Sequence, residues 1–292
     1  MEVGAFANGD WHSGRVHNAA LSWQQAAGLT AALAVLAAVL SRQLIARLAP
    51  LAPFAREATL ISGLYTVWQL AGELSVLDSS GAYARGAWIE RTERAWHLPA
   101  EVDLQRAFIH SAWVIHASNI YYATMHFGML FVFLIWLFVR HRDRYPKVRR
   151  VLALTTLACL LIQLLPVAPP RLLPQYGYLD TAARMGESVY SLGFGADALS
   201  AMPSVHVAWA VLIAWAVYRI GSGAGRWLGV VHAVLTMFVI VVTANHFWAD
   251  GIVAIGVLIA CALLEDAGAK LVERVREPAA THEPLAEVGA SS

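Results

Sequence analysis

The sequence predicts an all-α protein, a polytopic membrane helix bundle of about seven transmembrane helices with interfacial amphipathic helices. Three observations carry this. Of 292 residues, 58% are hydrophobic and only 14% charged, against about 25% charged in an ordinary soluble domain. The mean hydropathy is +0.55. The apolar runs recur through most of the chain, which fits neither a water-dissolved globule nor a soluble domain on one anchor. A net charge of +1 gives no bulk attraction to nucleic acid, and no such partner is expected.

A hydrocarbon core about 30 Å thick takes about 20 apolar residues as helix. Residues 18–41 form a charge-free first run, and 58–77 a second with Glu73 near one end. Residues 118–139 and 151–170 are the third and fourth, and 202–218 a shorter fifth. The last run, 227–264, contains Asp250 as its one charged side chain. As a single helix it would reach about 57 Å. It must therefore fold back, and the turn is placed around Asn245 and His246.

Between these runs, segment 78–117 is not a plain linker. Trp88, Ile89, Thr92 and Trp96 share one helical face, while Glu90 and Arg94 pair at i,i+4 on another. Pro99 breaks that helix, and Leu104, Phe108 and Ile109 begin a second amphipathic stretch. One or two helices lying in the headgroup layer are expected. Cys159 and Cys261 fall inside apolar runs and read as buried thiols. The first 17 residues lack the basic-then-apolar pattern of a cleaved signal peptide, and 277–292 lack apolar periodicity, as disordered tails do.

Loop charge sets the expected orientation. Arg42, Arg47 and Arg56, then Arg140 to Arg150, then Arg219 and Arg226, and finally Lys270, Arg274 and Arg276 alternate with the spans. An excess of Lys and Arg marks the cytoplasmic side. The N-terminus is then outside and the C-terminus cytoplasmic, in a multi-pass plasma-membrane protein. The expected organisation is an outer tail (1–17), an extra span with its cytoplasmic loop (18–56), a main membrane domain (57–265) and a largely disordered cytoplasmic tail (266–292).

With that sidedness, three polar clusters reach the outer face. Pro166-Val-Ala-Pro-Pro-Arg171 stops the fourth span with prolines and presents an arginine, a bidentate phosphate ligand. Met202-Pro-Ser-Val-His206 opens the fifth, with proline suited to a first helical turn and Ser204 beside unpaired helix N–H groups. His246 and Asp250 share a face at i,i+4, so the carboxylate can hold one imidazole nitrogen protonated and leave the other as a nucleophile. An arginine and two histidines around an anion suggest phosphoryl transfer. In that reading His246 attacks phosphorus, His206 protonates the leaving oxygen, and Arg171 and Ser204 hold the remaining oxygens. No acidic cluster for Mg²⁺ is visible, so no metal and no cofactor are expected.

These three motifs resemble those of the type 2 phosphatidic acid phosphatase superfamily. The resemblance spans roughly 57–265 and implies a six-helix core with the first span as an addition. It implies His246 as the nucleophile that becomes phosphohistidine, Asp250 as its partner, His206 as the acid, and Arg171 and Ser204 as phosphate ligands. Leu164 stands where a lysine is general, and Val239-Ile240 where a Ser-Arg pair is general. These departures, with Ala-Pro-Pro-Arg at 168–171 and His-Phe-Trp-Ala-Asp at 246–250, are similar to the inositol phosphotransferase (inositol phosphorylceramide synthase-like) subgroup. Asn119, Tyr122 and His126 belong to the same likeness and are expected to line the site. Glu73 is a candidate partner for Arg171, with snorkelling to the interface as the alternative. The implied activity moves a phosphate or phospho-headgroup from a phosphatidylinositol-type donor to a lipid or polyol. Water as acceptor makes it a lipid phosphatase, and a non-catalytic headgroup-binding or transport protein is the other class. The expected partner is a phospholipid or isoprenoid phosphate among membrane lipids.

Overall fold

The computed structural model describes residues 21–42, 46–77, 80–188 and 198–276. The expected tails at 1–17 and 277–292 lie outside the described residues. Within them the chain is helical, in the order α1 (Trp23–Ser41), α2 (Ala52–Leu77), α3 (Ala82–Ala95), α4 (Glu101–Phe108), α5 (Ala112–Arg140), α6 (Tyr145–Gln163), α7 (Thr181–Met185), α8 (Val205–Ile220), α9 (Leu228–Val242) and α10 (Trp248–Arg276). Helix starts follow local chemistry. Ser22 and Gln25 form a reciprocal capping box on α1, Asp180 caps α7, and Ser204 caps α8 by accepting from Val207 N.

All seven expected spans exist as helices, but among the described residues four are long and apolar enough to cross a membrane: Trp23–Ser41, Ala112–Arg140, Gly223–Val242 and Trp248–Val275. The shortfall has a physical reason in each case. Helix α2 carries Arg56, Glu57 and Glu73, and α6 opens on Lys147, Arg149 and Arg150. Helix α8 is apolar but only 16 residues long. The four long apolar helices mark a membrane protein. Their outward residues agree, with Val35, Val132, Ile135 and Leu264 all more than 60% exposed, as a hydrocarbon-facing surface requires. Two boundaries also move. Helix α6 stops at Gln163 instead of running to Pro170, and α10 continues to Arg276, so the tail expected from 266 begins as ordered helix.

The core sits between α5, α6, α8 and α10, where Leu130, Phe133, Val148, Val151, Leu212 and Leu258 belong to one buried cluster. A second joins α6, α8, α9 and α10 through Cys159, Val207, Ile240 and Ala254. Both cysteines are buried free thiols. Helices α1 and α2 pack on each other through Ala37, Leu40, Ala52 and Ala55. At the ends away from His246, ion pairs tie helices together: Arg150 to Glu265 at 2.6 Å, Lys147 to Asp266 at 2.5 Å, and Arg149 to Glu57, which also accepts from Tyr145 Oη at 2.8 Å.

The opposite end is closed by α3, α4 and the loop 164–180, whose cluster includes Ile89, Val102, Leu173, Tyr178 and Phe247. The proline-rich loop is pinned on both sides. Val167 exchanges backbone bonds with Leu199 and Ala201 (2.6 and 3.2 Å), while Ala168 N donates to Ala82 O at 3.1 Å. Helix α3 comes so near that a Cβ on Gly86 would lie 2.5 Å from Ala168 O, which only glycine permits.

Candidate active site

The expected reversal of the 227–264 run is where the site forms. Helix α9 ends at Val242 and α10 starts at Trp248. In the turn, Ala244 adopts φ +54° and is fully buried. This left-handed backbone disfavours any residue with a Cβ. Ala244 O accepts from Arg171 N at 2.8 Å, which docks the proline-rich loop two residues before His246.

Two cross-links then register the turn against the start of α8. His246 Nδ1 lies 2.8 Å from Ala201 O, and Ser204 N donates to Asp250 O at 3.1 Å. Pro203 precedes the Ser204 cap, so it stands outside the helix and not in its first turn as expected. The cross-links bring His206 and His246 together, with ring centroids 5.6 Å apart.

His246 Nδ1 also faces Asp250 Oδ2 at 3.2 Å. A carbonyl oxygen can only accept, so Nδ1 carries the proton and donates to both oxygens. In the neutral ring, Nε2 then holds the lone pair. Asp250 Oδ2 accepts additionally from Phe247 N at 2.9 Å. His246 Nε2 and His206 Nε2 are both buried and have no hydrogen-bond partner among the described residues. Buried polar atoms of that kind are uncommon and mark sites where a further group acts.

His206 is held from two sides. Tyr122 stacks on it at 4.5 Å with a 21° interplanar angle, and His126 lies at 4.2 Å. Tyr122, His126, His206 and His246 line one cavity of about 640 Å³, within the range of small-molecule sites. It runs along α5 from Tyr122 to Leu134, a helical distance of about 18 Å. Leu29, Leu33, Ile61 and Trp68 of α1 and α2 form one wall. Almost the entire lining is apolar.

The remaining sequence candidates are placed differently. Arg171 is buried, with Nε 3.5 Å from Asp180 Oδ2 and Nη2 3.5 Å from Ala198 O. Its carboxylate neighbour is thus Asp180, while Glu73 is exposed on α2. Ser204 Oγ accepts from Val207 N at 3.4 Å as a helix cap. Asn119 does not line the cavity. Its Nδ2 donates to Glu187 Oε2 at 2.7 Å and its Oδ1 accepts from Thr181 Oγ1 at 3.1 Å, which secures α7.

A family comparison converges on the same stretch. The PAP2 superfamily model matches residues 87–264. The chain belongs to the PAP2 superfamily. The match runs from α3 into α10 and leaves α1 and α2 outside. No curated protein and no solved structure matches the chain. Membership points this PAP2-superfamily protein to chemistry of the phosphatase or phosphotransferase type.

Sequence reasoning missed Glu93 and Glu101, which lie on the inward side of α3 and at the start of α4. Trp88 and Trp96 are 60% and 71% exposed, while Glu90 and Glu93 are buried. The Glu90–Arg94 pair is present at 3.3 Å, but on the inward side. Carboxylate oxygens of Glu90, Glu93 and Glu101 lie within 4.8 Å of one another, an acidic cluster not visible along the chain. Three acids within twelve residues of an acid-poor sequence were the available signal.

Proposed function

We propose that this PAP2-superfamily protein is an integral membrane phosphotransferase that works through a phosphohistidine on His246. The observation that carries the reading is the pair of buried Nε2 atoms of His206 and His246 on one cavity, without a partner among the described residues. In the first step His246 Nε2 attacks phosphorus, and the bond from phosphorus to the leaving oxygen breaks. His206 gives its proton to that oxygen. In the second step an acceptor hydroxyl attacks phosphorus, His206 takes the hydroxyl proton, and the bond from Nε2 to phosphorus breaks. Asp250 and Ala201 O stabilise the imidazolium character that develops while Nε2 is bonded. Ser204, the start of α8 and Arg171 supply positive potential for the equatorial oxygens. Metal is not required by these steps.

The donor is a phospholipid or isoprenoid phosphate whose chain occupies the apolar cavity. A phosphatidylinositol-type donor and a lipid or polyol acceptor follow from the likeness to inositol phosphotransferases. The dry lining favours a lipid hydroxyl over water; hydrolysis to a free phosphate differs only in the acceptor. The Lys and Arg bias supports a site on the non-cytoplasmic face of the membrane.

The test uses detergent-purified protein with labelled phosphatidylinositol or phosphatidic acid, with and without a lipid alcohol. An alkali-stable, acid-labile label on the protein is expected, and His246→Ala loses it. A labelled lipid product that requires the alcohol supports transfer; free phosphate or inositol phosphate alone supports hydrolysis. Lipid turnover unchanged in a folded His246→Ala protein overturns the enzymatic reading.

A further inference from the structure

The first backbone N–H groups of a helix lack intrahelical partners and form a positive end that attracts anions. At α10 the three amides that follow His246 are each taken by a carboxylate of the protein itself. Phe247 N donates to Asp250 Oδ2 at 2.9 Å, Trp248 N to Glu101 Oε1 at 3.1 Å, and Ala249 N to Glu93 Oε1 at 2.6 Å. Glu93 comes from α3 and Glu101 from the first position of α4, so both acids reach α10 from the flanking short helices. Trp248 Nε1 adds a bond to Pro99 O at 3.0 Å, in the link between α3 and α4.

Glu101 is in turn held from behind, within an acid cluster that includes Glu90 and Glu93. Arg94 pairs with Glu90 at 3.3 Å and with Glu101. Tyr178 Oη donates to Glu90 Oε2 at 2.6 Å and lies 3.2 Å from Glu101 Oε2. Glu93 and Glu101 are 1% and 0% exposed. Burying three acids against one arginine is costly unless each has a task.

We infer that Glu93 and Glu101 are positioning residues for the reaction: they fix the first turn of α10, and with it the direction in which His246 Nε2 faces its cavity. The inference rests on His246 acting as the nucleophile. It also makes α3 and α4 part of the catalytic framework, although neither touches the cavity.

The charge state supports this. Burial and the neighbouring Glu101 carboxylate push Glu93 up to about 9. Its other acidic neighbours are Glu90 on α3 and Asp250 on α10. At neutral pH Glu93 is thus protonated and accepts from Ala249 N through its carbonyl oxygen. Above about pH 9 it ionises and sets a second charge against Glu101, which loosens the clamp. A glutamine keeps the accepting oxygen and never ionises.

The experiment compares wild type, Glu93→Gln, Glu93→Ala and Glu101→Gln in detergent. Its probes are p-nitrophenyl phosphate and dioctanoyl phosphatidic acid, together with hydrogen exchange on peptides covering 245–252. Glu93→Ala is expected to lower kcat by up to about 100-fold, as a misplaced reacting group does, with KM within about twofold. Glu101→Gln, which loses the charged acceptor and the Arg94 pair, falls between wild type and Glu93→Ala. Glu93→Gln keeps wild-type kcat at pH 7 and surpasses wild type above pH 9. Faster exchange at Trp248 and Ala249 in Glu93→Ala, with other helices unchanged, accompanies the loss. Equal kcat in Glu93→Ala and wild type, or Glu93→Gln as impaired at pH 7 as Glu93→Ala, overturns the inference. Wild type inactive on both substrates, and on phosphatidylinositol with a lipid alcohol, overturns the function instead, while hydrogen exchange still reads the clamp.

Discussion

Replacing Asp250 by Asn separates two jobs that an aspartate beside a catalytic histidine usually performs together. One is to set the tautomer, the other to stabilise positive charge on the ring. In a serine-protease triad the corresponding change costs about 10⁴ in kcat because the wrong nitrogen is protonated. Here Ala201 O sits 2.8 Å from His246 Nδ1, closer than Asp250 Oδ2 at 3.2 Å. Ala201 O cannot donate, so the proton stays on Nδ1 without the carboxylate. The asparagine oxygen can also keep the bond from Phe247 N. What is lost is the difference between a charged and a neutral acceptor, about 1–2 kcal/mol, which equals a fall of roughly 5- to 30-fold. Single-turnover formation of the phosphorylated protein, quenched in alkali, measures the step directly. A fall beyond about 10³ in a folded Asp250→Asn protein would refute the claim that Ala201 O sets the tautomer. No fall at all would refute a charge-stabilising role for Asp250.

Three further outcomes follow from the geometry. His206→Ala should slow attack on a dialkyl phosphate ester far more than on p-nitrophenyl phosphate, whose leaving oxygen needs no proton; equal loss on both contradicts an acid role. At the strained turn, Ala244→Gly should keep turnover and the thermal midpoint. Ala244→Val should lower both, because a left-handed backbone already costs a residue with a Cβ roughly 1–2 kcal/mol and a branched side chain has no room at a fully buried site. On the cavity wall, Leu33→Trp should exclude about three methylene groups of a long chain. At about 0.8 kcal/mol each that lowers kcat/KM roughly 60-fold for long-chain lipids and leaves dihexanoyl lipids almost unaffected, as a chain-length series would show.

Local pattern made much of the framework legible. Apolar periodicity placed α1, α2, α5, α6 and α8 to within several residues, and simple length arithmetic required the α9–α10 reversal at Asn245 and His246. The pairing of His246 with Asp250 is legible in i,i+4 spacing and is present although α10 begins only at Trp248. Ser204, by contrast, reads along the chain as an anion ligand, and its capping of α8 came from the structure. Span number was less legible, since a run of apolar residues does not show whether nearby Lys, Arg and Glu shorten the membrane-crossing part, as in α2 and α6.

The long-range partnerships emerged only once the helices were packed. Glu93 meets Ala249 across 156 positions and Glu101 meets Trp248 across 147, and no periodicity encodes such partners. The same holds for Ala201 O on His246 and for Asp180 beside Arg171, where position along the chain suggested Glu73. Which residues are helical, apolar or reactive was readable along the chain, because those properties depend on neighbours within a turn or two. Which buried charge faces which amide depends on how separate helices pack, and burial makes that choice matter, because an unpaired charge in a dry interior is too costly to keep.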